Sequence, residues 1–289
     1  MRPTSMTRLC GLIGDPVEHS ISPQMLNAAF ESSNLDYVYV TMKVKKTELA
    51  NAINGVRALG LHGLNVTIPH KVEVMKHIDS ADKLALEIGA VNTILNRSGR
   101  LFGFNTDGIG AAKAIEESGT SLEGKKVVLV GSGGAARAIA FSLSRRIDGL
   151  TILNRRVERA RGLALDLMKK RKSKASFGGL AEQTLRRELS TAQILINATS
   201  VGMFPSISRS VVDSSLLRKD LTVFDIVYNP LETRLLREAS SVGARTVNGI
   251  GMLVHQGAEA FRLWTGKDAP VEHMRKVALK ELSRVGPKA

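Results

Sequence analysis

A glycine-rich segment in the middle of the chain contains the residue types that bind phosphate. An apolar run, residues 127–130, is followed at once by Gly131-Ser132-Gly133-Gly134-Ala135, then by an apolar helical pattern and a second apolar run at residues 150–153. Strand, glycine turn, helix and strand in this order are typical of a dinucleotide-binding βαβ unit, where glycines let a pyrophosphate approach a helix N-terminus. A tight βα turn without a ligand is the alternative, but the flanking elements favour a cofactor site.

The residues after the second apolar run indicate which dinucleotide is bound. An NAD site usually has an acidic residue there, whereas an NADP site offers cations to the 2′-phosphate. This chain has Asn154, Arg155 and Arg156 at that point and Arg159 one turn later. Arginine can bind a phosphate through two parallel hydrogen bonds. The arginines could also be solvated charges opening a basic helix, but their position at this strand end favours NADP(H).

Polar residues recur in the first third of the chain where a strand pattern gives way to a helix. Asn65 and Thr67 lie in a short strand pattern at residues 64–68, Lys71 follows that strand, and Asp107 follows another. Ligands of α/β proteins bind outside the carboxyl ends of strands, so this placement is compatible with a substrate site. A polar strand end with an exposed lysine, and a helix-capping role for Asp107, are the alternatives.

Two serines precede the first helical pattern. Pro23 just inside the helix makes Ser22 the expected N-cap, and Ser20 and Ser22 could also turn their hydroxyls toward an anion at this helix N-terminus. Capping alone would explain one serine and not both.

Strands and helices alternate along the chain in a pattern that predicts an α/β protein of two domains. We predict an NADP-binding Rossmann domain with a parallel doubly wound sheet at residues 107–249. Residues 1–106 are expected to form an α/β substrate-binding and catalytic domain. The last two helical patterns, within residues 250–289, are expected to complete that first domain, because no further strand pattern follows.

The composition is that of a soluble globular protein. The 289 residues are 43% hydrophobic and 24% charged, enough chain for two cores. No run reaches the roughly 18–20 apolar residues of a membrane span, and residues 1–8 lack the apolar core of a signal peptide, so we expect a cytoplasmic protein without a membrane partner.

The net charge, the single cysteine and the histidines indicate which kinds of ligand the chain could bind. The net charge of +14 is spread along the chain without a recognisable nucleic-acid motif, so we expect it to steer anionic small molecules. Cys10 is the only cysteine and lies in an apolar stretch, which predicts a buried structural thiol. The six histidines are scattered, and we predict no metal site.

Seven short motifs follow one another along essentially the whole chain. They are His19-Ser20-Ile21-Ser22-Pro23, Asn65-Val66-Thr67-Ile68-Pro69-His70-Lys71, Gly89-Ala90-Val91-Asn92-Thr93, Asn105-Thr106-Asp107, Gly131-Ser132-Gly133-Gly134-Ala135, Asn197-Ala198-Thr199-Ser200-Val201-Gly202-Met203 and Gln256-Gly257-Ala258. The set closely resembles the shikimate dehydrogenase family.

The resemblance implies a role for each matching residue. Lys71 and Asp107 would be the catalytic pair. The substrate carboxylate and ring hydroxyls would be bound by Ser20, Ser22, Asn65, Thr67, Lys71, Asn92, Asp107, Tyr228 and Gln256. The cofactor would lie along the glycine segment, the Asn154–Arg159 segment and the turn with Thr199 and Ser200, with Ile226 and Gly249 near the nicotinamide. The activity implied is NADP-dependent reduction of 3-dehydroshikimate to shikimate by a monomer or homodimer.

Two positions depart from the family pattern. Leu26 stands where a histidine is common, which puts a supporting contact near the substrate in doubt. Arg156 stands where a threonine is usual, which adds a cation for the 2′-phosphate. A quinate/shikimate or aminoshikimate dehydrogenase is the alternative among enzymes, and a non-catalytic NADP(H)-binding protein or a basic nucleic-acid binder is the alternative from other classes.

Overall fold

The computed structural model describes residues 3–285, and these fold into two compact units. The first unit comprises the residues up to Thr106 together with those from Val254 onward, and the second is Asp107–Leu253. The sequence-based division places the return to the first domain at residue 250, slightly before Val254. Within residues 3–285, the helices are all too short or too polar to cross a membrane.

The first unit begins with an α/β segment. Its elements in chain order are β1 (Arg8–Gly14), α1 (Ser22–Ser32), β2 (Tyr37–Lys43), α2 (Leu49–Ala58), β3 (Gly63–Val66), β4 (Ser80–Ala81), α3 (Lys83–Ile88), β5 (Thr93–Arg97) and β6 (Arg100–Phe104).

The strands of the first unit form one mixed sheet in the order β2-β1-β3-β5-β6-β4. β1 is parallel to β2 and β3, whereas β5 is antiparallel to β3 and β6. The apolar side chains of β1, β3 and β5, among them Ile13, Leu64 and Ile94, form a core with α2. The β3–β5 register sets Asn65 opposite Thr93, and this pairing organises the polar residues described below.

The second unit alternates strands and helices throughout. Its elements in chain order are α4 (Asp107–Glu117), β7 (Lys126–Val130), α5 (Gly134–Leu143), β8 (Gly149–Leu153), α6 (Val157–Arg171), β9 (Ala175–Gly178), α7 (Glu182–Thr191), β10 (Ile194–Asn197), β11 (Thr222–Asp225), α8 (Arg234–Ser241) and β12 (Arg245–Val247).

These strands form a fully parallel sheet in the order β12-β11-β10-β7-β8-β9. The chain runs outward from β7 through β8 to β9 and then returns to the other side of β7 to continue with β10. The strand order therefore reverses between β7 and β10, which is where open α/β sheets bind their ligands. The central strands β7 and β10 are near-continuous apolar runs, as expected where a parallel sheet is covered on both faces. The predicted doubly wound sheet is confirmed.

Two helices close the chain, α9 (Gly249–Thr265) and α10 (Val271–Val285). The Trp264 indole of α9 is buried and donates a hydrogen bond to the Ile94 carbonyl of β5 at 2.9 Å. α10 packs on α1, with Met274 fully buried. The prediction that the C-terminal helices complete the first unit is confirmed.

Two local predictions are wrong. Ser22 is the first helical residue of α1 and no side chain caps this helix, because the helix already begins after Ile21. The segment after Lys71, predicted as a helix, forms only a 3-10 turn at Glu73–Lys76. The Lys71 carbonyl accepts from the Val91 amide, and the Met75 amide donates to the Val72 carbonyl instead of to Lys71.

Candidate functional site

Four buried polar residues of the first unit, Asn65, Asn92, Thr93 and Thr106, hydrogen-bond to one another, and we call them the amide cluster. The Asn65 amide nitrogen donates to the Thr93 hydroxyl at 3.0 Å and to the Asn92 carbonyl at 3.2 Å. The Asn92 side-chain oxygen accepts from the Thr106 backbone amide at 2.8 Å and from the Thr93 hydroxyl at 3.0 Å. The cluster is therefore rigid and electrically neutral.

Tyr39 of β2 fixes the orientation of one member of this cluster. Its buried hydroxyl donates to the side-chain oxygen of Asn65 at 2.8 Å. Because the Asn65 amide nitrogen already donates twice within the cluster, the remaining capacity of Asn65 is on its oxygen, which can accept from a ligand hydroxyl. Burial raises the pKa of Tyr39, so its hydroxyl stays protonated. The sequence motifs did not reveal Tyr39; its inward position in the alternation of β2 was the available signal.

Lys71 follows β3 on a turn that is held by a buried histidine. The His70 imidazole donates to the Val44 carbonyl at 2.7 Å, and the His70 backbone amide donates to the Thr67 carbonyl at 2.9 Å. The Val91 amide donates to the Lys71 carbonyl at 2.8 Å, which ties the lysine backbone to the residue before Asn92. The structure thus brings Thr67 and Lys71 to the same strand-end region as the amide cluster.

The other predicted substrate residues of the first unit lie on α1 and α9. The Ser20 hydroxyl accepts from the Ser22 backbone amide at 3.3 Å just ahead of α1, whose N-terminus has no side-chain cap. Ser22 is mostly buried at the start of that helix, and Gln256 is half-buried on α9. Leu26 is fully buried in the core and offers no polar group.

In the second unit, the glycine segment forms the turn between β7 and α5. Gly131 has φ +117, and a Cβ there would lie 2.7 Å from the Ala198 carbonyl oxygen, so only glycine fits. Gly133 and Gly134 have open space on the side where a Cβ would project. α5 starts at Gly134 without a side-chain cap, and Ser132 and Ala135 are partly exposed. The amides of its first turn are thus available for an anion.

Three exposed arginines follow β8, namely Arg155, Arg156 and Arg159, and we call them the arginine cluster. Asn154 supports this turn, because its amide nitrogen donates to the Arg156 carbonyl at 3.0 Å. Within residues 3–285, the three guanidinium groups have no hydrogen bond or ion pair to another side chain. They are therefore available for a phosphate, and the residues present fit a bound NADP(H).

Another turn of the second unit follows the carboxyl end of β10. The Asn197 side-chain oxygen accepts from both the backbone amide and the hydroxyl of Thr199, at 3.1 and 2.7 Å. Ser200 is exposed on the same turn. Ile226 follows β11 and its amide donates to the Asn197 carbonyl at 3.1 Å. A Cβ on Gly249 would collide with the Ile226 carbonyl, so glycine is needed for this close approach.

A buried carboxylate, Asp225, ends β11 beside this turn. It accepts hydrogen bonds from Asn197, from the Val227 backbone amide and from Thr233. Burial nevertheless raises the pKa of Asp225 to about 6. Sequence reasoning missed this residue; the available signal was an acidic residue ending an otherwise apolar strand, Thr222–Asp225, next to another strand that ends in an asparagine.

Two residues predicted to meet the substrate belong to the second unit. Tyr228 follows β11 and is half-buried, and burial raises the pKa of its phenol, which stays protonated at neutral pH. Asp107 is buried at the start of α4 and directly follows Thr106 of the amide cluster in the chain.

A parallel sheet with a glycine turn at the point of strand reversal, in a chain whose other unit holds a buried polar cluster, is typical of two-domain dinucleotide-dependent enzymes of the α/β class. Three family models match successive parts of the chain: the shikimate dehydrogenase substrate binding domain at residues 12–94, shikimate/quinate 5-dehydrogenase at 111–234 and the shikimate 5′-dehydrogenase C-terminal domain at 249–279. The chain belongs to the shikimate dehydrogenase family.

Individual relatives cover nearly the full length. Shikimate dehydrogenase (NADP(+)) of Methanocaldococcus jannaschii is 47% identical over 96% of this chain and 98% of its own. A crystal structure of a shikimate dehydrogenase in complex with NADP+ has a TM-score of 0.93 at 46% identity, covering 97% of this chain and 98% of that one. The Listeria monocytogenes shikimate 5-dehydrogenase in complex with shikimate and NAD has a TM-score of 0.92 at 38% identity, with 96% and 98% covered.

Proposed function

We propose that this chain is an NADP-dependent shikimate dehydrogenase. It would reduce 3-dehydroshikimate reversibly to shikimate, a step of the shikimate pathway that leads to chorismate and the aromatic amino acids. The observation that carries the proposal is the backbone connection of Lys71 to the amide cluster: the Val91 amide donates to the Lys71 carbonyl. The chain position of the lysine is therefore fixed beside a preset group of residues that can bind hydroxyl groups.

The substrate side would use the first unit for its hydroxyl groups. Asn65 and Asn92 would bind ring hydroxyls together with Thr67 and Gln256, and the Asn65 oxygen is oriented to accept. Ser20 and Ser22 at the start of α1 would bind the carboxylate, since the amides of a helix N-terminus favour an anion. Tyr228 of the second unit would add a protonated phenol that can donate.

The reaction needs a hydride and a proton. Bound NADPH would supply the hydride to the substrate carbonyl carbon. The Lys71 ammonium would donate its proton to the carbonyl oxygen, and in the reverse direction the neutral amine would accept the hydroxyl proton. Asp107, as a carboxylate acceptor, would orient the substrate hydroxyl and Lys71.

The cofactor side would use the second unit. The amides at the start of α5 would bind the pyrophosphate and the arginine cluster the 2′-phosphate. The turn with Thr199 and Ser200, and Ile226 with Gly249, would line the nicotinamide end. The monomeric or homodimeric state and the cytoplasmic location stay predictions.

The test is absorbance of the reduced nicotinamide while the purified protein is mixed with shikimate or quinate and with NADP+ or NAD+. We expect the fastest turnover with shikimate and NADP+. Because one matching family model covers both shikimate and quinate enzymes, preference for quinate would identify a quinate/shikimate dehydrogenase instead. No turnover in any mixture, with NADP+ still bound, would identify a non-catalytic binding protein.

A further inference from the structure

Two buried side chains meet at the carboxyl ends of β10 and β11. Asn197 and Asp225 are paired in the strand register and are almost completely shielded from solvent. The Asn197 amide nitrogen donates to Oδ1 of Asp225 at 2.9 Å. The reaction described above assigns no role to Asp225.

On one side, this pair controls the turn after β10. Asn197 accepts two hydrogen bonds from Thr199 through its side-chain oxygen and donates to the Val201 carbonyl at 3.2 Å. The Thr199 hydroxyl in turn accepts from the Val201 amide at 3.1 Å. Asp225 adds a further acceptor for the amide nitrogen, so it supports the same orientation of the Asn197 amide that these bonds to the turn require.

On the other side, Asp225 controls the segment after β11 directly. Its Oδ1 accepts from the Val227 backbone amide at 3.1 Å. The Val227 carbonyl accepts from the Gly249 amide at 3.2 Å, at the start of α9. One carboxylate oxygen therefore joins the two segments, Thr199–Ser200 and Ile226–Val227, that follow neighbouring strands.

We propose that Asp225 is a positioning residue for the dinucleotide, which acts through Asn197 on the Thr199–Ser200 turn and through the Val227 amide on Ile226. The inference rests on the proposed function, because it takes both segments as part of the cofactor site. Asp225 itself lies below the surface of that site and makes its contribution through hydrogen bonds alone.

The two oxygens of Asp225 have separate tasks. Oδ1 carries both positioning hydrogen bonds, whereas Oδ2 accepts from the Thr233 hydroxyl, at 2.8 Å. Thr233 also caps α8 by accepting from the Leu236 amide, so its contact with Asp225 supports the helix. An asparagine at position 225 could keep its oxygen at the Oδ1 position and donate from its nitrogen to the Thr233 hydroxyl.

The experiment compares Asp225→Asn and Asp225→Leu by isothermal titration calorimetry with NADP+ alone. Leucine has a similar size but leaves the Asn197 and Val227 donors without their acceptor, so we expect the Kd for NADP+ to rise roughly tenfold or more. Asp225→Asn should keep the Kd within about twofold of the unsubstituted protein, because the hydrogen bonds to Oδ1 survive. Circular dichroism verifies folding of each variant.

Two further variants separate a specific effect on the cofactor site from a general loss of stability. Thr233→Val removes the Oδ2 contact and the α8 cap, and should lower the melting temperature while leaving the Kd for NADP+ unchanged. Asn197→Ala removes the link to the Thr199 turn while Asp225 keeps its bonds to Val227 and Thr233, and should weaken NADP+ binding as Asp225→Leu does. It provides the answer even if Asp225→Leu fails to fold.

Several results would overturn the inference. One is an unchanged Kd in folded Asp225→Leu, or in Asn197→Ala. Equal losses in Asp225→Asn and Asp225→Leu, or a loss in Thr233→Val as large as theirs, would show that the hydrogen bonds to Oδ1 are not the cause. If the unsubstituted protein bound NADP+ but did not oxidise shikimate, the proposed function would fail while the binding series still decided the role of Asp225.

Discussion

The amide cluster of the first unit and the arginine cluster of the second lie at comparable places, the carboxyl ends of strands, but are built in opposite ways. The members of the amide cluster are buried, neutral and bonded to one another. The arginines are exposed and, within residues 3–285, without side-chain partners. One region has its geometry set by internal hydrogen bonds, and the other offers charge on exposed side chains.

The difference follows from the ligand groups that each region would bind. A hydroxyl group is recognised by direction, so its partners must hold their donors and acceptors in fixed positions, which requires burial and mutual hydrogen bonds. A phosphate dianion attracts cations over a longer range and accepts hydrogen bonds at several oxygens. Substitutions in the amide cluster should therefore alter stability and activity together, whereas substitutions in the arginine cluster should alter cofactor affinity alone.

The largest effect is expected from Lys71, the charged residue beside the amide cluster. Lys71→Ala should lower kcat by roughly 10²- to 10⁴-fold, the usual contribution of a general acid, with a much smaller change in KM for shikimate. Initial rates with saturating NADP+ provide the measurement. Lys76→Ala is the matched control, because Lys76 lies on the following 3-10 turn and is paired with Glu73 at the surface. An unchanged kcat in Lys71→Ala would remove this lysine from the mechanism.

A buried network that contains a charge should behave differently from the neutral amide cluster when the pH changes. Burial raises the pKa of Asp225 from 3.8 to about 6. Between these values the folded state binds more protons than the unfolded state, so this residue's contribution to the free energy of unfolding is fully present below about pH 4 and is lost as the pH rises through about 6.

Asp225→Asn removes this titration. The difference in free energy of unfolding between the unsubstituted protein and Asp225→Asn should therefore shift by on the order of 3 kcal/mol from pH 4 to pH 7, in favour of the variant at pH 7. Urea unfolding at both pH values measures it. Parallel stabilities across this range would contradict the raised pKa of Asp225.

Within the amide cluster, Asn92→Ala should reduce stability and activity together. It leaves the Thr106 backbone amide without its buried acceptor, which should lower the free energy of unfolding by about 1–3 kcal/mol. This loss should be the same at pH 4 and pH 7, because amides do not titrate. kcat/KM for shikimate should fall as well. Asn51→Ala is the control, since the Asn51 side chain is exposed and donates to the exposed Glu48 carboxylate. Loss of activity with unchanged stability would contradict the idea of a preset cluster.

Much of the second unit could be predicted from the sequence, because the patterns that indicate it are local. The glycine segment, the Asn154–Arg156 strand end and the alternating apolar runs each depend on neighbouring residues, and the parallel sheet is confirmed. The roles of Tyr39 and Asp225 could not be predicted, because each depends on a partner in another strand, Asn65 and Asn197, that only the sheet register brings close.

The smallest effects are expected in the arginine cluster. Arg155→Ala and Arg156→Ala should each weaken the preference for NADP+ over NAD+ by roughly tenfold, since each removes a charge-assisted contact at an exposed site. The free energy of unfolding should change by less than about 0.5 kcal/mol, because neither guanidinium group bonds to another residue of the described chain. Arg161→Ala, on the helix α6 that follows these two arginines and paired with Glu158, should leave the preference unchanged. If Arg155→Ala and Arg156→Ala both kept the full preference for NADP+, cofactor choice would have to depend on backbone groups of the turn after β8. The contrast between a preset region and an electrostatic one would then no longer hold for the second unit.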